Sequence, residues 1–493
     1  MARPQQVGGL RGDVLSSSDM VVMAVAGSAP AYSLAATTAV LVAAGGLASP
    51  AALMWCGIPM VGITWAFNYL GRLDVNAGAS YSWVGRALHP ALGFLSGWSL
   101  IVSATIFMVA GSLPAGAATL SFFSEDAAKN SALATAVGAA WFLLMAGLVI
   151  RGIRITARAQ WIMTGIEVVI LAVFGTALWL HPAPVAAFDW SWLGFERFSD
   201  LHTFASTATI AAFFFWGWDV TANLSEETRN SSRMPGLGGL LGVLLVFGLL
   251  ELIVVGVSRV MAAAEIEANS DNLLTVLADE MWPRWGGKLL ILAVLLSTVA
   301  TLETALLQVT RSLFAMGRDE TIPPAFGAAH RRWQTPWVAT LAVTGCALVL
   351  FVASNLLGSV TTIMDHAVGA IGLQICIYYG LAGLAVVVAY RKLLLKSLGN
   401  AIFAGLWPLL GSAFMLWIFV LTIPTLDGIT IAIGLGSIAV GVVPMAFYWR
   451  RGSAYFRPNH LDAAKAVEVE AAYGYTPATH NSAEPPDTFH TLL

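Results

Sequence analysis

The stretch Gly27-Ser28-Ala29-Pro30-Ala31 interrupts a long apolar segment, residues 19–45, near its middle. A second apolar segment, residues 203–224, is interrupted by Phe215-Trp216-Gly217-Trp218-Asp219. Proline removes a helical hydrogen bond and glycine loosens the backbone, so both segments are predicted to be helices that break near the bilayer midplane. Unpaired backbone groups at that depth are tolerated only where they are buried in protein or line a cavity. Paired breaks in the two halves of a chain are typical of a transporter binding site.

The composition indicates a polytopic membrane protein. The 493 residues are 58% hydrophobic and only 11% charged, and the mean hydropathy is +0.76. Because soluble domains carry roughly 25% charged residues, this chain could not cover a globular surface with charge. The lipid bilayer is therefore the expected partner, and no nucleic-acid partner is expected. Cys56, Cys346 and Cys376 each lie in an apolar stretch, so no disulfide or metal framework is implied.

Twelve segments meet the requirement of about 20 mostly apolar residues for a membrane span. They lie at 19–45, 51–70, 91–120, 132–150, 160–180, 203–224, 236–258, 286–312, 337–355, 365–389, 402–423 and 428–449. If the N-terminus is cytoplasmic, twenty of the 25 Lys and Arg residues lie on the inside, and this asymmetry places both termini in the cytoplasm. The expected organisation is a cytoplasmic segment 1–18, a multi-pass domain 19–450 in the cell membrane, and a cytoplasmic, partly disordered tail 451–493.

The positions of the two breaks predict an internal repeat. Gly27 and Gly217 are 190 residues apart. Counting spans, the first begins inside and the sixth begins outside, so two five-span units, about 19–180 and 203–389, would have inverted topology. Spans eleven and twelve, at 402–449, are then additions. The predicted fold class is an all-α polytopic membrane protein with twelve transmembrane helices.

Four motifs occur in order and on a consistent side of the predicted membrane. They are Gly27-Ser28-Ala29-Pro30, Asn76-Ala77-Gly78-Ala79-Ser80-Tyr81-Ser82-Trp83-Val84, Phe215-Trp216-Gly217-Trp218-Asp219 running to Ser225-Glu226-Glu227-Thr228, and Thr310-Arg311-Ser312-Leu313-Phe314-Ala315-Met316-Gly317-Arg318-Asp319 followed by Gln334-Thr335-Pro336. With these motifs the chain resembles the amino acid–polyamine–organocation (APC) superfamily of permeases over about residues 15–450. The resemblance implies the five-plus-five inverted-repeat (LeuT-like) fold with discontinuous helices 1 and 6. The chain departs from the usual pattern at Ala29, Pro30, Trp216 and Trp218.

By this resemblance the two breaks would bind the substrate between them. Half-helix ends carry about half an elementary charge, positive at the N-terminus and negative at the C-terminus. The N–H groups from Ala29 to Tyr32 would therefore face a carboxylate, and the carbonyls from Phe214 to Trp216 would face an ammonium. An α-amino acid fits both ends, whereas a polyamine lacks the carboxylate. The predicted substrate-binding residues are Gly27, Ser28, Ala29, Pro30, Ala31, Phe213, Phe214, Phe215, Trp216, Gly217 and Trp218.

Two side chains in this region have further expected roles. Phe213 or a neighbour would form a lid over the substrate, although packing against lipid or another helix is the alternative for any single ring. Asp219, just after the second break, is expected to cap the following half-helix.

Three residues are candidates for ion coupling. Glu167 in span five stands where some proton-coupled relatives place a lysine, and Glu303 in span eight is the second candidate. Charged residues inside a membrane are costly and mark ion or substrate pathways. A buried carboxyl group can take up and release a proton as its surroundings alternate between dry and wet. By the resemblance, Thr301 matches the hydroxyl position of the sodium site in sodium-coupled members. For both glutamates a structural carboxyl group bonded to a neighbouring helix is the alternative.

The sequence therefore predicts a secondary active transporter that imports amino acids by alternating access, with a proton as the coupling ion in symport. A polyamine or cationic amino acid transporter or exchanger is the first alternative, and a transport-inactive sensor or subunit is the second. The chain shows no nucleotide loop with its lysine, and no nucleophile–base arrangement or metal-ligand cluster. An enzyme is not expected, and neither is a cofactor. The sequence leaves open whether the protein forms a homo-oligomer.

Overall fold

The protein is helical throughout the part that can be described. A computed structural model describes residues 9–269, 272–354, 360–457, 461 and 466–469. Within these ranges the backbone forms helices and connecting turns, and the only strand-like feature is an isolated pairing of Leu15 with Thr228. The predicted disorder at the end of the tail lies outside the described residues.

The first half of the chain contains both interrupted segments. Its helices are α1 (Ser17–Ser28), α2 (Pro30–Gly45), α3 (Ser49–Leu73), α4 (Ser80–Ala87), α5 (Pro90–Ser121), α6 (Glu125–Lys129), α7 (Ser131–Arg151), α8 (Ile153–Trp179), α9 (Leu201–Ala211) and α10 (Val220–Asn223). The first interruption separates α1 from α2, and the second separates α9 from α10.

The second half of the chain continues the helical bundle. Its helices are α11 (Met234–Val260), α12 (Ala263–Ala268), α13 (Leu273–Met281), α14 (Gly286–Arg318), α15 (Trp337–Ser354), α16 (Val360–Tyr390), α17 (Leu398–Asn400), α18 (Trp407–Thr422), α19 (Gly428–Ile431), α20 (Ser437–Val440) and α21 (Val442–Arg450). π-helical turns, Ala401–Leu406 and Ala432–Gly436, join α17 to α18 and α19 to α20.

Local sequence signals explain where the interrupted segments begin. The Ser16 side chain accepts a hydrogen bond from the N–H of Asp19, and the Asp19 carboxylate accepts one from the N–H of Ser16, which is a capping box before α1. Asp200 caps α9 in a similar way, because its carboxylate accepts from the N–H of Thr203 at 2.7 Å. Pro30 lies at the first position of α2, where the missing N–H costs nothing.

Ten helical stretches of the described residues are long and apolar enough to cross a membrane. The first of them, Ser17–Leu73, has 57 residues, which is far more than the roughly 20 that one crossing needs. It contains α1, α2 and α3. The segment from α9 to α10 is outside this set because neither helix has 18 residues. A multi-pass membrane protein follows from these stretches, and the count of twelve spans with an inverted repeat stays a prediction.

The two longest helices form the centre of the bundle. Helices α5 and α14, with 32 and 33 residues, pack along each other. Helix α14 also contacts α1, α2 and α10, which are three of the four pieces of the interrupted segments. Helix α8 contacts both α1 and α14. Side chains on α8 and α14 can therefore reach the first interruption from two sides.

Candidate functional site

The first break is a single residue wide. Helix α1 ends at Ser28, Ala29 has a φ of +48° and a ψ of +57°, and α2 begins at Pro30. A left-handed conformation is uncommon for a residue with a Cβ, so this alanine marks a locally strained point. The chain therefore changes direction between two helices without an intervening loop.

The second break is longer and has a different backbone. Helix α9 ends at Ala211 and is followed by a 3₁₀ turn, Ala212–Phe215. Trp216 is extended, with a φ of −95° and a ψ of 153°. Gly217 has a φ of +96°, which favours glycine because it has no Cβ. The short helix α10 starts only at Val220.

The two breaks contact each other through glycine. A Cβ added to Gly27 would clash with the carbonyl oxygen of Gly217, and a Cβ added to Gly217 would clash with the carbonyl oxygen of Gly27. Only residues without a side chain allow the backbones to approach this closely. The residues predicted at the two interruptions, 190 positions apart, are therefore in direct contact.

Each backbone N–H group at the start of α2 has a hydrogen-bond acceptor within the protein. Helix α2 would leave its first donors unsatisfied unless other groups bind them. Ala29 donates to the carbonyl of Ala26 at 3.3 Å, and Pro30 has no N–H. Ala31 donates to Oε1 of Glu167 at 2.9 Å, and Tyr32 donates to the hydroxyl of Ser297 at 3.2 Å. The donors that the sequence assigned to a substrate carboxylate are bonded within the protein in this structure.

Four aromatic rings lie around the breaks and form a cluster that we call the aromatic cage: Tyr32, Phe107, Phe213 and Trp216. The Tyr32 ring centroid lies 6.4 Å from those of Phe107 and Phe213, and Phe107 lies 5.2 Å from Trp216. All three contacts are edge-to-face. The Tyr32 hydroxyl and the Trp216 Nε1 are buried and have no hydrogen-bond partner among the described residues. Buried polar atoms are normally bonded, so these two are exceptions that call for an explanation.

The other predicted aromatic residues point elsewhere. Phe215 packs edge-to-face on Phe247 of α11, with centroids 5.7 Å apart. Trp218 stacks on Tyr379 of α16 at 5.8 Å. Phe214 is buried. Of the five predicted rings, Phe213 and Trp216 are therefore the two that join the cage, together with Tyr32 and Phe107.

Asp219 does not cap α10, contrary to the sequence-based expectation. It is buried, its backbone is in the right-handed helical region, and its side chain makes no capping hydrogen bond. Its carboxylate instead accepts from the hydroxyl of Tyr379 at 2.7 Å and from the side-chain amide of Gln308. The carboxylate therefore ties the second break to α16 and α14.

The three candidate coupling residues are in two places. The Thr301 hydroxyl donates to the carbonyl of Ala26, at the end of α1, at 2.7 Å, so Thr301 and Glu167 both contact the first break. Glu303 instead accepts from the side-chain amide of Gln160 on α8 at 2.7 Å. One oxygen each of Glu167 and Glu303 is buried without a partner in the described part of the chain.

Ion pairs lie at one end of the bundle, which we call the basic end and define by Arg86, Arg311 and Arg318. Arg311 and Glu227 are fully buried and form a bidentate pair, with N–O distances of 2.9 and 3.1 Å. Arg318 binds Glu226 at 3.0 Å. A cavity of about 550 Å³ at this end is lined by Arg86 and Arg318, among others.

The start of the described chain is bonded to this end as well. The N–H groups of Val14 and Leu15 donate to the carbonyl of Glu227, and the N–H of Arg229 donates to the carbonyl of Leu15. The start of α1 is thus joined by backbone hydrogen bonds to the chain that follows the second break.

Several residues of the site are absent from the sequence-based prediction. Ser297 and Gln308 were detectable, because polar residues recur along one face of α14 at Ser297, Thr301, Thr304 and Gln308, the spacing of a helical stripe. Phe107 and Tyr379 had no comparable signal, since each is one apolar ring in an apolar helix.

The sequence model of the amino acid permease family matches residues 14–447. The chain belongs to this family. The permease is thus a member of the APC superfamily, as the motifs at the two breaks predicted.

The names of relatives indicate different substrates. A cationic amino acid transporter of Arabidopsis thaliana is 27% identical over 62% of this chain and 50% of its own length. A low-affinity putrescine importer of Escherichia coli is 23% identical over 61% and 66%. A serine/threonine exchanger of Bacillus subtilis is 25% identical over 75% and 82%. The aligned part of this permease spans half to two thirds of the first two relatives, and their names differ in substrate class.

Proposed function

We propose that this permease is a secondary active transporter that imports an amino acid or a polyamine across the cytoplasmic membrane by alternating access around the two breaks. The contact between Gly27 and Gly217 carries the proposal, since it brings both interruptions to one point beside a cage with unpaired polar atoms. Interrupted helices at a shared site are the usual basis of substrate binding in secondary transporters.

In this proposal the basic end faces the cytoplasm and its ion pairs form the inner gate. The buried pair Arg311–Glu227 links α14 to the chain after α10, so opening on this side requires the pair to separate or to move as a unit. The predicted twelve spans and inverted repeat would supply the two bodies that rock against each other.

Proton symport through Glu167 is the proposed coupling. One Glu167 oxygen accepts from the N–H of Ala31, and the other has no partner within the described residues. A hydrogen bond to an ionised group is stronger than one to a neutral group, so protonation of Glu167 would weaken its hold on the start of α2. The protonation state of the carboxyl group would thus bias the position of the first break.

Sodium coupling at Thr301 and exchange without an ion are the alternatives. Thr301 lies beside the carbonyl of Ala26, where a hydroxyl and a carbonyl could share a cation. A relative named as an exchanger keeps the second alternative open. A transport-inactive sensor or subunit is the remaining alternative.

Uptake by the purified permease in proteoliposomes tests these functions. The probes are radiolabelled putrescine, arginine, serine and leucine, each with an inward proton gradient, a sodium gradient or unlabelled substrate inside. Accumulation under the proton gradient alone supports the proposal. Uptake that occurs only with unlabelled substrate inside the vesicles would establish exchange instead. Accumulation that needs sodium and is lost in Thr301→Val would assign coupling to Thr301.

The Glu167→Gln variant tests the residue. The amide keeps an oxygen to accept from Ala31 but cannot carry the proton, so uptake should no longer respond to the gradient. Glu251→Gln is the matched control, because Glu251 is a buried carboxyl on α11 with both oxygens unpartnered among the residues described. If Glu167→Gln still accumulated substrate in a gradient-dependent way, Glu167 would not be the coupling group.

A further inference from the structure

We propose that the first break receives the ammonium group of an amine and not the carboxylate of an amino acid. This permease would then prefer amines to the amino acids from which they derive by loss of the carboxyl group. The inference rests on the proposed transport function and narrows its substrate class.

The backbone at the first break has no donor to offer to a carboxylate. Of the four residues from Ala29 to Tyr32, one is proline and the other three donate to Ala26, Glu167 and Ser297. The next N–H along, from Ser33, donates to the carbonyl of Ala29 at 2.8 Å within the helix. A substrate carboxylate could bind only by displacing one of these acceptors.

The acceptor already present is itself a carboxylate. Glu167 is fully buried, its Oε1 is bonded to the N–H of Ala31, and its Oε2 is buried with no partner in the described ranges. It therefore occupies the end of a half-helix, the position that favours an anion. A substrate carboxylate would place a second acidic group beside it, whereas an ammonium would pair with the free oxygen and favour the ionised form of Glu167.

The aromatic cage also favours a cationic group over a carboxylate. Tyr32 directly follows Ala31, whose N–H binds Glu167, so one cage residue is the chain neighbour of the residue that holds the carboxyl group. Aromatic faces attract cations, and grouped rings around an ammonium are a common way to recognise one. The Tyr32 hydroxyl is buried at 3% exposure without a partner among the described residues and can accept from an ammonium. Carboxylate, hydroxyl and ring faces are together a binding set for a cation.

The second break does not supply an equivalent charge. The Asp219 carboxylate is bonded on both oxygens, by Tyr379 and by Gln308. Glu167 is therefore the carboxylate with a free oxygen at the paired breaks. The substrate therefore needs one ammonium group to pair with Glu167, and the aromatic cage would contact the rest of the molecule.

Matched pairs that differ by one carboxyl group test the proposal. The probes are putrescine with ornithine, agmatine with arginine, and tyramine with tyrosine, measured as competitors of uptake and as stabilisers of the detergent-solubilised permease at one neutral pH. A ligand that binds only the folded state raises the melting temperature. At least one amine should bind about tenfold or more tightly than its amino acid, and the methyl ester of that amino acid should recover part of the difference. Equal or tighter binding of the amino acids, with transport intact, would overturn the amine preference and leave the transporter standing.

Variants locate the source of the preference. Glu167→Gln keeps the hydrogen bond to Ala31 and removes the charge, so the preference for amines should fall, while Glu251→Gln should preserve it. An unchanged preference in a folded Glu167→Gln protein would overturn the proposal. If that variant does not fold, Pro30→Ala serves instead, because it adds an N–H at the start of α2 and should shift the ratio toward amino acids. If no compound of any pair accumulates in proteoliposomes, the proposed function fails, whatever the binding order.

Discussion

The two breaks of this permease meet at glycine residues but are stabilised differently. The first is one left-handed residue, Ala29, between two full helices, and its donors are bound by side chains of α8 and α14. The second contains a 3₁₀ turn, an extended Trp216 and a left-handed Gly217, and its carboxylate bonds sideways to Tyr379 and Gln308. The first break is thus fixed at its N–H groups by side chains of neighbouring helices, and the second is fixed through a side chain of its own.

This difference implies that the two breaks would change conformation in different ways during transport. A short break that is capped by another helix can change only if that cap changes, so we expect its position to depend on Glu167. A longer break with its own anchor can rearrange its backbone while Asp219 stays bonded to α14 and α16. We expect the first break to respond to the charge of Glu167, whereas the second is held through Asp219.

Removing a glycine from the contact should have the largest effect. Gly217→Ala places a Cβ against the carbonyl of Gly27 and requires a φ of +96° from a residue that rarely adopts it. We expect uptake to fall by at least about tenfold with reduced thermal stability. Gly248→Ala is the control, because a Cβ there meets no atom within 4 Å. Near-normal uptake in Gly217→Ala would show that the two breaks do not need to touch.

Breaking the buried ion pair after the second break should have the next largest effect. Arg311→Met leaves Glu227 buried without its cation, and removing one partner of a buried pair typically costs about 3–5 kcal/mol. Chemical or thermal denaturation in detergent measures the loss. The double variant Arg311→Met with Glu227→Met removes both charges and should lose less. A double variant that is less stable than the single one would contradict this account.

Asp219→Asn should have a moderate effect that distinguishes the second break from the first. An asparagine at 219 keeps one acceptor for Tyr379 but places an amide against the amide of Gln308, so one buried polar group loses its partner at a cost of about 1–3 kcal/mol. The melting temperature should fall, with amine preference retained. The reverse pattern, with normal stability and lost preference, would assign the substrate charge to Asp219 instead of Glu167.

Asp427→Asn should have the smallest effect. Asp427 is an exposed carboxylate at a helix start, so it serves as a control for the buried carboxyl group of Glu167. The Asp427 carboxylate accepts from the N–H groups of Ile429 and Thr430 at the start of α19. The Thr430 hydroxyl, followed by these N–H groups, lowers the pKa of Asp427 to about 2. Because the folded pKa lies below the unfolded value of about 3.9, the ionised cap stabilises the fold above pH 4 and is lost as the pH falls through about 2. Asp427→Asn should lower the melting temperature slightly at neutral pH and leave transport intact.

The interruptions were predictable because glycine and proline act on the local backbone. Gly27, Pro30 and Gly217 each remove a constraint or a hydrogen bond within a few residues, and such effects are visible in the sequence. The bond between Glu167 and Ala31 was not visible, since it joins residues 136 positions apart. The ring directions also depended on the fold: Phe213 and Phe215 leave the 3₁₀ turn on different sides, and only the packed bundle shows that one side meets Tyr32 and the other meets Phe247.

The pairing of Leu15 with Thr228 has a practical consequence for reporters of transport. Backbone hydrogen bonds near Glu227 and Arg229 join the start of the first interrupted segment to the end of the second. A polarity-sensitive dye at an exposed neighbour such as Arg11 would therefore report any separation of these two segments, without touching the substrate site. For the same reason a bulky N-terminal fusion would pull on both interrupted segments at once, and affinity tags belong at the other end of the chain.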